Sequence, residues 1–526
     1  MTDRIYLYDS TLRDGAQARG VDFTVPDKIA IARALDNFGI DYIEGGWPGA
    51  NPRDDAFFEQ APQLKHCKLT AFGMTRRNGR SAENDPGLAA LLDSGAGSVC
   101  IVGKTWDFHI EKALEITREE NRAMIEDSIK LLVKKGKEAM FDAEHFFDGY
   151  KHNKALALEM IRAAYDSGAR WIALCDTNGG TLPEQIRQIV GEVTEFIPGA
   201  HLGIHCHNDT ENAVANSLAA VEAGVRQVQG TMNGIGERCG NANLISIIPT
   251  LMLKMGYTTG VSMEGLKGIT KLSRLIDDRL GRTPNPHAAY VGSAAFAHKG
   301  GLHVSAMAKD TASYEHIPPE TVGNERVILV SDKAGRANII SRLKELGLEK
   351  EAESEHIDEL VKIVKERETD GYAYEGADAS FELLARRHLS DVPHYFDLES
   401  FRVMDERRWN AKGDLITLSE ATIKVSVKGK RILTVAEGNG PVNALDKALR
   451  KALSGRYPVL KDIKLTDYKV RILTPGAATA AVTRVMIESR DGLGNVWNTI
   501  GVSPNVIDAS FNALHDSITY RLLKEA

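Results

Sequence analysis

The sequence lacks several features that mark particular classes of protein. No apolar run reaches the length of a membrane-spanning helix, and residues 1–5 do not resemble a signal peptide. There are only five cysteines, an odd number, with no Cys-x-x-Cys pair, and they lie mostly in apolar runs. Such usage is typical of reduced thiols rather than of a disulfide framework. We therefore expect a cytoplasmic protein that does not associate with a membrane.

A strongly basic region is also lacking. The net charge is −7, and the basic clusters at residues 76–77, 134–135 and 428–431 are short and lie among acidic residues. Nucleic-acid binding is therefore disfavoured. The hydrophobic content of 43% is ordinary for a globular protein, and 526 residues exceed what one core can hold. The length indicates about three domains.

Short apolar runs alternate with longer amphipathic segments through the first half of the chain. Strands are predicted at residues 5–8, 42–44, 68–72, 98–102, 138–143, 171–174, 202–204 and 227–231. The segments between them have helical periodicity, and several end at a glycine. Eight repeats in about 255 residues predict a (β/α)8 TIM barrel.

Two further segments follow the predicted barrel. The alternation stops past Met255, and a loop-rich stretch with helical segments could lie over the barrel mouth. After residue 393 the chain is rich in strands, and two strand-strand-helix units, at 420–454 and 483–523, resemble each other. We expect a barrel over residues 1–265, a helical linker subdomain over 266–392 and an α+β domain over 393–526.

A His-x-His pair closes the seventh predicted strand. On an extended strand, His205 and His207 point to the same side, which suits a divalent metal ion. With 15 histidines in 526 residues, this spacing arises by chance about 0.4 times, so the pair alone is weak evidence. In a closed barrel, however, the first, seventh and eighth strands are consecutive neighbours, so Asp14 after the first and Asn241 after the eighth lie near this pair. Four metal-ligating groups can therefore converge on one ion.

Three spaced motifs resemble the signatures of one enzyme family. They are Leu12-Arg13-Asp14-Gly15-Ala16-Gln17, Leu202-Gly203-Ile204-His205-Cys206-His207-Asn208-Asp209 and Gly236-Glu237-Arg238-Cys239-Gly240-Asn241. They are similar to those of the α-isopropylmalate/homocitrate synthase family, metal-dependent barrels that condense acetyl-CoA with 2-oxo acids. The C-terminal segment is similar to the family's regulatory and dimerisation domain. Residues 47–52 and 298–306 look most like the branch whose 2-oxo acid is pyruvate.

The resemblance implies an acyltransferase that converts acetyl-CoA, pyruvate and water to (R)-citramalate and CoA, on a threonine-independent route to isoleucine. It implies a divalent ion, Zn²⁺, Mn²⁺ or Mg²⁺, held by Asp14, His205, His207 and Asn241. Such mixed ligands leave positions open for a bidentate 2-oxo acid, whose carbonyl the metal polarises. A homodimer is also implied.

The resemblance assigns roles to further residues. Arg13 would bind the substrate oxygen on which negative charge develops, and Thr177 would bind the substrate carboxylate. His303 would take the proton from the acetyl methyl group, with Tyr314 and Glu144 as helpers. The residues by themselves also allow a structural ion pair for Arg13, a turn at Thr177, an exposed loop carboxylate at Glu144 and no role for His303.

The sequence does not decide between two interpretations for the coenzyme A site and for the effector site. Arg76, Arg77 and Arg80 follow the third strand and could meet the phosphates of coenzyme A, although a solvated loop is the commoner arrangement. The glycine-rich turns at 438–440 and 501–504 present backbone N–H groups suited to a carboxylate. By resemblance this domain binds isoleucine as a feedback inhibitor, and a dimer interface without a ligand would explain the same turns.

Two positions depart from the family's motifs. Glu211 stands where the second signature has glycine, and we expect it in the first turn of the next helix, where an acidic residue suits the helix dipole. Cys239 replaces a threonine, and related acyl-CoA lyases use a nearby loop cysteine, so a lyase stays open as a function. The same chemistry on a larger 2-oxo acid, as in 2-isopropylmalate or homocitrate synthase, and a non-catalytic amino-acid sensor are also compatible with the sequence.

Overall fold

A computed structural model describes residues 3–307, 309–328, 336–348, 354–389 and 392–525. The chain divides into two compact units. The first unit is Met1–Phe296 with Ile317–Glu325, and the second is Ala297–His316 with Arg326–Ala526. Among the described residues, no helix is long and apolar enough to cross a membrane.

The first unit contains a closed barrel of eight parallel strands, in which each strand pairs with the next and the eighth pairs with the first. The strands are β1 (Tyr6–Asp9), β2 (Tyr42–Gly46), β3 (Lys68–Met74), β4 (Ser98–Lys104), β5 (Glu138–Glu144), β6 (Trp171–Asp176), β7 (Leu202–Cys206) and β8 (Gln227–Gly230). The predicted TIM barrel is confirmed. Most strands run two residues beyond their predicted ends, because the glycine, polar and sulfur-containing residues there still pair with a neighbouring strand.

Helices surround the barrel. They are α1 (Val25–Phe38), α2 (Pro52–Glu59), α3 (Pro86–Asp93), α4 (Arg118–Lys134), α5 (Phe146–His152), α6 (Lys154–Asp166), α7 (Pro183–Thr194), α8 (Ala213–Glu222), α9 (Leu244–Leu253), α10 (Met263–Leu266) and α11 (Ile269–Arg279). A capping box between Thr24 and Asp27 begins α1. Gly39 ends it at φ 104°, where a Cβ atom would lie 2.5 Å from the Gly260 carbonyl oxygen.

Two sets of buried side chains hold the barrel together. Branched apolar residues such as Leu7, Ile43 and Leu35 fill the layer between strands and helices. The barrel interior instead holds the cluster Tyr8, Tyr42, Phe72, Cys100, Met140 and Trp171. Large interior side chains close the barrel as a packed core, so a ligand can be bound only at its end.

The second unit begins with a two-stranded sheet of β9 (Ala297–His298) and β10 (Val327–Ile328). Its helices are α12 (Gly301–Met307), α13 (Arg336–Glu345), α14 (Ser354–Thr369) and α15 (Asp378–Leu389). Two three-stranded antiparallel sheets follow, each with one helix. The first has β11 (Asp397–Trp409), β12 (Leu415–Val427), β13 (Lys430–Gly438) and α16 (Pro441–Leu453), and the second has β14 (Lys464–Ile472), β15 (Thr483–Arg490), β16 (Val496–Ser503) and α17 (Val506–Glu525).

The predicted α+β fold of this region is confirmed, but the repeated unit has three strands rather than two. The expectation missed β11 and β14, the first strand of each repeat. Both are edge strands whose residues are mostly exposed. Their sequences therefore lack the strict alternation of buried and partly buried residues that most of β12 shows.

Candidate active site

The C-terminal end of the barrel brings Asp14, His205 and His207 together. The nearest carboxylate oxygen of Asp14 lies 3.2 Å from His205 Nε2 and 4.0 Å from His207 Nε2. The two Nε2 atoms are 3.3 Å apart, and all three residues are buried. Three potential ligand atoms within 4.8 Å of one another form a pocket of the size that one metal ion requires.

Asn241 completes this group through backbone pairing. It forms an isolated antiparallel bridge with His207, and hydrogen bonds from Asn208 N to Gly240 O and from Ala242 N to Cys206 O flank the bridge. Gly240 has φ 94°, and a Cβ atom there would lie 2.0 Å from the Gly234 carbonyl oxygen. Only glycine allows this close approach, which carries Asn241 to the end of β7.

The charges of the group suit a cation. Burial acts to raise the pKa of Asp14, but the charge of Arg13 and the hydrogen bond with His205 outweigh it and hold this pKa well below its usual range. Burial and the neighbouring His205 lower the pKa of His207 to about 4. Near neutral pH, Asp14 is therefore a carboxylate and His207 a neutral imidazole, the forms that bind metals.

Asn241 has one polar atom that the protein itself does not satisfy. Its Nδ2 donates to Asp14 Oδ2 at 2.7 Å, whereas its buried Oδ1 has no hydrogen-bond partner among the described residues. Buried carbonyl oxygens without a partner are rare, and each one calls for an explanation. An amide oxygen beside a carboxylate and two imidazoles matches the donor set of a divalent metal site.

Arg13 lies beside Asp14 and is held by Glu44. Its Nε donates to Glu44 Oε2 at 2.7 Å, and its guanidinium stacks 3.8 Å from the centroid of the Phe72 ring. Glu44 also accepts hydrogen bonds from the hydroxyls of Tyr8 and Ser10. With three donors around it, this carboxylate is fixed in place and in turn fixes the direction of Arg13.

Glu144 lies at the end of β5 and forms an ion pair with Lys104 at the end of β4. Lys104 is absent from the residues predicted to form the site. A signal was available, because Gly103 and Lys104 directly follow the fourth predicted strand at the functional end of the barrel. The ion pair makes Glu144 a partnered residue, and its side chain is 25% exposed.

Thr177 follows β6 in a turn, with Gly179 N donating to Asp176 O. Its hydroxyl oxygen accepts a hydrogen bond from the backbone N–H of His145 at 2.9 Å. The hydroxyl proton is still available to a ligand, because that contact uses only a lone pair. Arg238 holds this turn from the opposite side, donating to Thr177 O and to both oxygens of Asp209.

The expectation for Glu211 is wrong. Helix α8 begins at Ala213, and Glu211 lies before it in a turn with φ 61°. The glycine of the family's motif is therefore explained by a left-handed backbone conformation, not by a helix dipole. An L-residue is strained in this conformation, and Glu211 adopts it without the freedom that glycine would have.

His303 and Tyr314 both belong to the second unit. His303 is exposed on α12, and its ring stacks on that of Tyr314 with centroids 4.1 Å apart. Nearby, the buried carboxylate of Glu315 accepts two hydrogen bonds from Arg326 and lies 3.3 Å from His298 Nε2. These contacts tie the segment that carries His303 and Tyr314 to β9 and to the start of β10.

The three arginines after β3 separate into two kinds. Arg76 is buried and forms ion pairs with Glu120 and Asp127 of α4, so its charge is already compensated. Arg77 and Arg80 are exposed. Arg77 lines a cleft of about 530 Å³. The walls of this cleft include Trp47, Met74, Val102, Lys104 and Met124.

The two glycine-rich turns of the C-terminal region differ in how many backbone N–H groups they leave without a hydrogen-bond acceptor. At the second turn the side chain of Asn505 accepts from the backbone N–H groups of Ile507 and Asp508, at the start of α17. At the first turn Gly440 is the N-cap of α16 and has no side-chain cap. The N-terminus of α16 therefore offers more free N–H groups than that of α17.

Comparison with known proteins gives matches along the chain. Residues 4–276 match the HMGL-like family, residues 290–371 match the homocitrate synthase post-HMGL domain-like family, and residues 375–522 match the LeuA allosteric (dimerisation) domain. Two curated relatives are named (R)-citramalate synthase. That of Aquifex aeolicus is 51% identical over 100% of this chain and 99% of its own, and that of Geobacter sulfurreducens is 51% identical over 99% and 98%.

A more distant relative is named 2-isopropylmalate synthase. The protein of Methanocaldococcus jannaschii is 33% identical over 99% of this chain and 95% of its own length. The difference between 51% and 33% identity separates the two groups of relatives, although both match nearly the whole chain.

Proposed function

The chain belongs to the HMGL-like family, and from this premise we propose that it is an acyltransferase that condenses acetyl-CoA with pyruvate and water to give (R)-citramalate and CoA. The buried group Asp14, His205 and His207, with Arg13 beside it, carries this proposal. The choice of pyruvate is supported by the 51% identity with relatives named (R)-citramalate synthase.

We propose that Asp14, His205, His207 and Asn241 hold a divalent metal ion. The unpartnered Oδ1 of Asn241 supports this assignment, because a buried amide oxygen without a partner is a suitable ligand for a divalent cation. The bound ion would polarise the ketone of the substrate as a Lewis acid. Zn²⁺, Mn²⁺ and Mg²⁺ are the candidates, and a set of two nitrogens and two oxygens accepts all three.

Arg13 and Thr177 are proposed to orient pyruvate. Arg13 would donate to the ketone oxygen, where negative charge develops as the carbonyl carbon is attacked. Its position supports this role, since Glu44 and Phe72 hold the guanidinium in one direction before substrate arrives. Thr177 would donate its hydroxyl proton to the carboxylate, while its oxygen continues to accept from His145 N.

The carbon–carbon bond requires removal of a proton from the acetyl methyl group. We propose that His303 takes this proton, with Tyr314 and Glu144 as helpers. The methyl carbon then bonds to the ketone carbon of pyruvate, and the ketone oxygen gains a proton to become a hydroxyl. Water cleaves the thioester, so that the carbonyl becomes a carboxylate and CoA leaves as a thiol.

The cleft beside Lys104 is the proposed site for acetyl-CoA. Its walls of Trp47, Met74, Val102 and Met124 suit the largely apolar pantetheine arm, and Arg77 suits a phosphate. Lys104 both lines the cleft and pairs with Glu144. The cleft therefore borders Glu144, one of the two residues proposed to help His303 remove the proton from the acetyl methyl group.

Regulation and assembly are proposed from the C-terminal region. The match of residues 375–522 to the LeuA allosteric (dimerisation) domain supports a homodimer and an allosteric effector, for which we propose isoleucine. The uncapped N-terminus of α16 suits the carboxylate of such an amino acid. We propose a cytoplasmic location, which is supported by five cysteines that are all free, four of them buried.

A substrate panel tests the proposed activity. CoA release should be measured with pyruvate, 2-oxoisovalerate and 2-oxoglutarate at equal concentration. One methylene changes discrimination by about 1–3 kcal/mol, so we expect pyruvate to exceed 2-oxoisovalerate in kcat/KM by at least about tenfold. Equal rates with the larger 2-oxo acids would contradict the assignment of pyruvate, and absence of CoA release with all three would contradict the synthase.

A further inference from the structure

His205 is the member of the proposed metal site with an outer hydrogen-bonded support. Its Nδ1 lies 2.9 Å from Oε1 of Gln229, the residue that pairs with it in register on β8. Gln229 Nε2 donates to Asp142 Oδ1 on β5 at 3.0 Å. All three residues are buried, so this chain of contacts crosses the barrel interior away from solvent.

The direction of the chain follows from which atoms donate and which accept. The carboxyl oxygen of Asp142 that faces Gln229 accepts from its amide nitrogen. The amide oxygen of Gln229 must then face His205, and an amide oxygen can only accept. His205 Nδ1 therefore carries the hydrogen, so Nε2, on the side of Asp14 and His207, is the nitrogen available to a metal ion.

We infer that Asp142 and Gln229 are positioning residues that fix the tautomer and ring orientation of His205 for metal binding. Neither residue belongs to the proposed ligand set, and both are proposed to act through the histidine. The inference rests on the proposed metal site and deepens it. Among the described residues His207 has no equivalent support, since its buried Nδ1 has no hydrogen-bond partner.

The chain offers a matched control for Gln229. Gln227 lies two residues earlier on β8, is equally buried, and has a single weak contact through its Nε2, with Met140 Sδ at 4.0 Å. Replacing either glutamine by leucine removes one amide group from the barrel interior and leaves a side chain of similar size. Only the change at Gln229 removes the acceptor that holds His205.

The affinity of the metal-free, full-length protein for Mn²⁺ and for Zn²⁺ should be measured by titration. Because outer-shell partners are typically worth about 10–100-fold in metal affinity, Gln229→Leu should weaken binding by that factor. Gln227→Leu should stay within about twofold of the wild type. Asp142→Leu should weaken binding as well, whereas Asp142→Asn, which keeps an acceptor oxygen, should restore most of the affinity.

Nitrogen-15 NMR of the histidine side chains gives a second readout that does not depend on activity. In the metal-free wild type, His205 should be protonated at Nδ1, and in Gln229→Leu this preference should be lost. A wild-type His205 that carries no hydrogen at Nδ1 would overturn the inference, even if no variant folds. Unchanged metal affinity of a folded Gln229→Leu variant would overturn it as well.

His205→Ala separates this inference from the proposed function. If that variant binds metal as tightly as the wild type, the metal site itself is misplaced. If His205→Ala loses metal binding while Gln229→Leu keeps it, the proposed metal site is supported and the positioning role of Gln229 and Asp142 is contradicted.

Discussion

Individual residues decide which chemistry the barrel end can support. Cys239 is the one exposed cysteine of the described chain and lies two residues before Asn241. A lyase that relies on this thiol would lose its activity in Cys239→Ala. For the proposed synthase, we expect kcat with pyruvate within about threefold of the wild type, since the base assigned to the reaction is His303. Steady-state CoA release measures this, with Cys67→Ala as a control at a buried thiol.

Asp36 shows at the same scale how one carboxylate stabilises the barrel. Its Oδ1 accepts from the backbone N–H groups of Lys65, His66 and Cys67 before β3. Burial alone would raise the pKa of Asp36, but these hydrogen bonds outweigh it and lower the pKa from 3.8 to about 2. Asp36→Asn places an amide N–H among these donors, and the free energy of unfolding at pH 7 should fall by about 1–2 kcal/mol.

The pH dependence of this effect follows from the depressed pKa. The stabilisation is present above pH 3.8 and is lost as the pH falls towards about 2, where the folded protein also takes up the proton. Urea denaturation of both proteins should therefore show a difference in unfolding free energy that shrinks between about pH 4 and about pH 2. A difference that stays constant over this range would contradict the role assigned to the charge of Asp36.

At the scale of single elements, the end of β4 contributes more than its sequence indicated. Lys104 joins the proposed acetyl-CoA cleft to Glu144 on β5. Lys104→Met should lower kcat by about 10–100-fold and raise the KM for acetyl-CoA, because it removes a partner of Glu144 and a charge from the cleft. Lys104→Arg should recover part of kcat. Lys130→Met, on the exposed face of α4, is the matched control and should leave both constants unchanged.

The sequence predicts the barrel strands more reliably than the turns that follow them or the edge strands of the C-terminal region. The sequence predicts eight strands because apolar runs alternate regularly with amphipathic helices. It misplaces Glu211, because a family motif shows where glycine is usual without showing that the backbone there is left-handed. It also misses β11 and β14, because edge strands whose residues are mostly exposed have no strong apolar alternation.

For the whole molecule, the metal ion is expected to govern activity but not folding. The barrel core consists of apolar clusters that surround the ligand group without including it. Removal of metal by a chelator should therefore abolish CoA release, while the far-UV circular dichroism spectrum stays unchanged. Added Mn²⁺ or Zn²⁺ should restore the activity. Loss of the spectrum together with the activity would show that the ion has a structural role.

The sequence by itself determined the barrel and the α+β C-terminal region, because periodicity is a local property of the chain. The four proposed metal ligands came from the resemblance of three short motifs to one family. Only the tertiary structure decided which partners meet these residues. Gln229 reaches Asp142 across 87 positions of sequence, and Lys104 reaches Glu144 across 40. Such pairs depend on the register of strands in a closed barrel. That register is set by the packing of all eight strands together, and no local pattern encodes it.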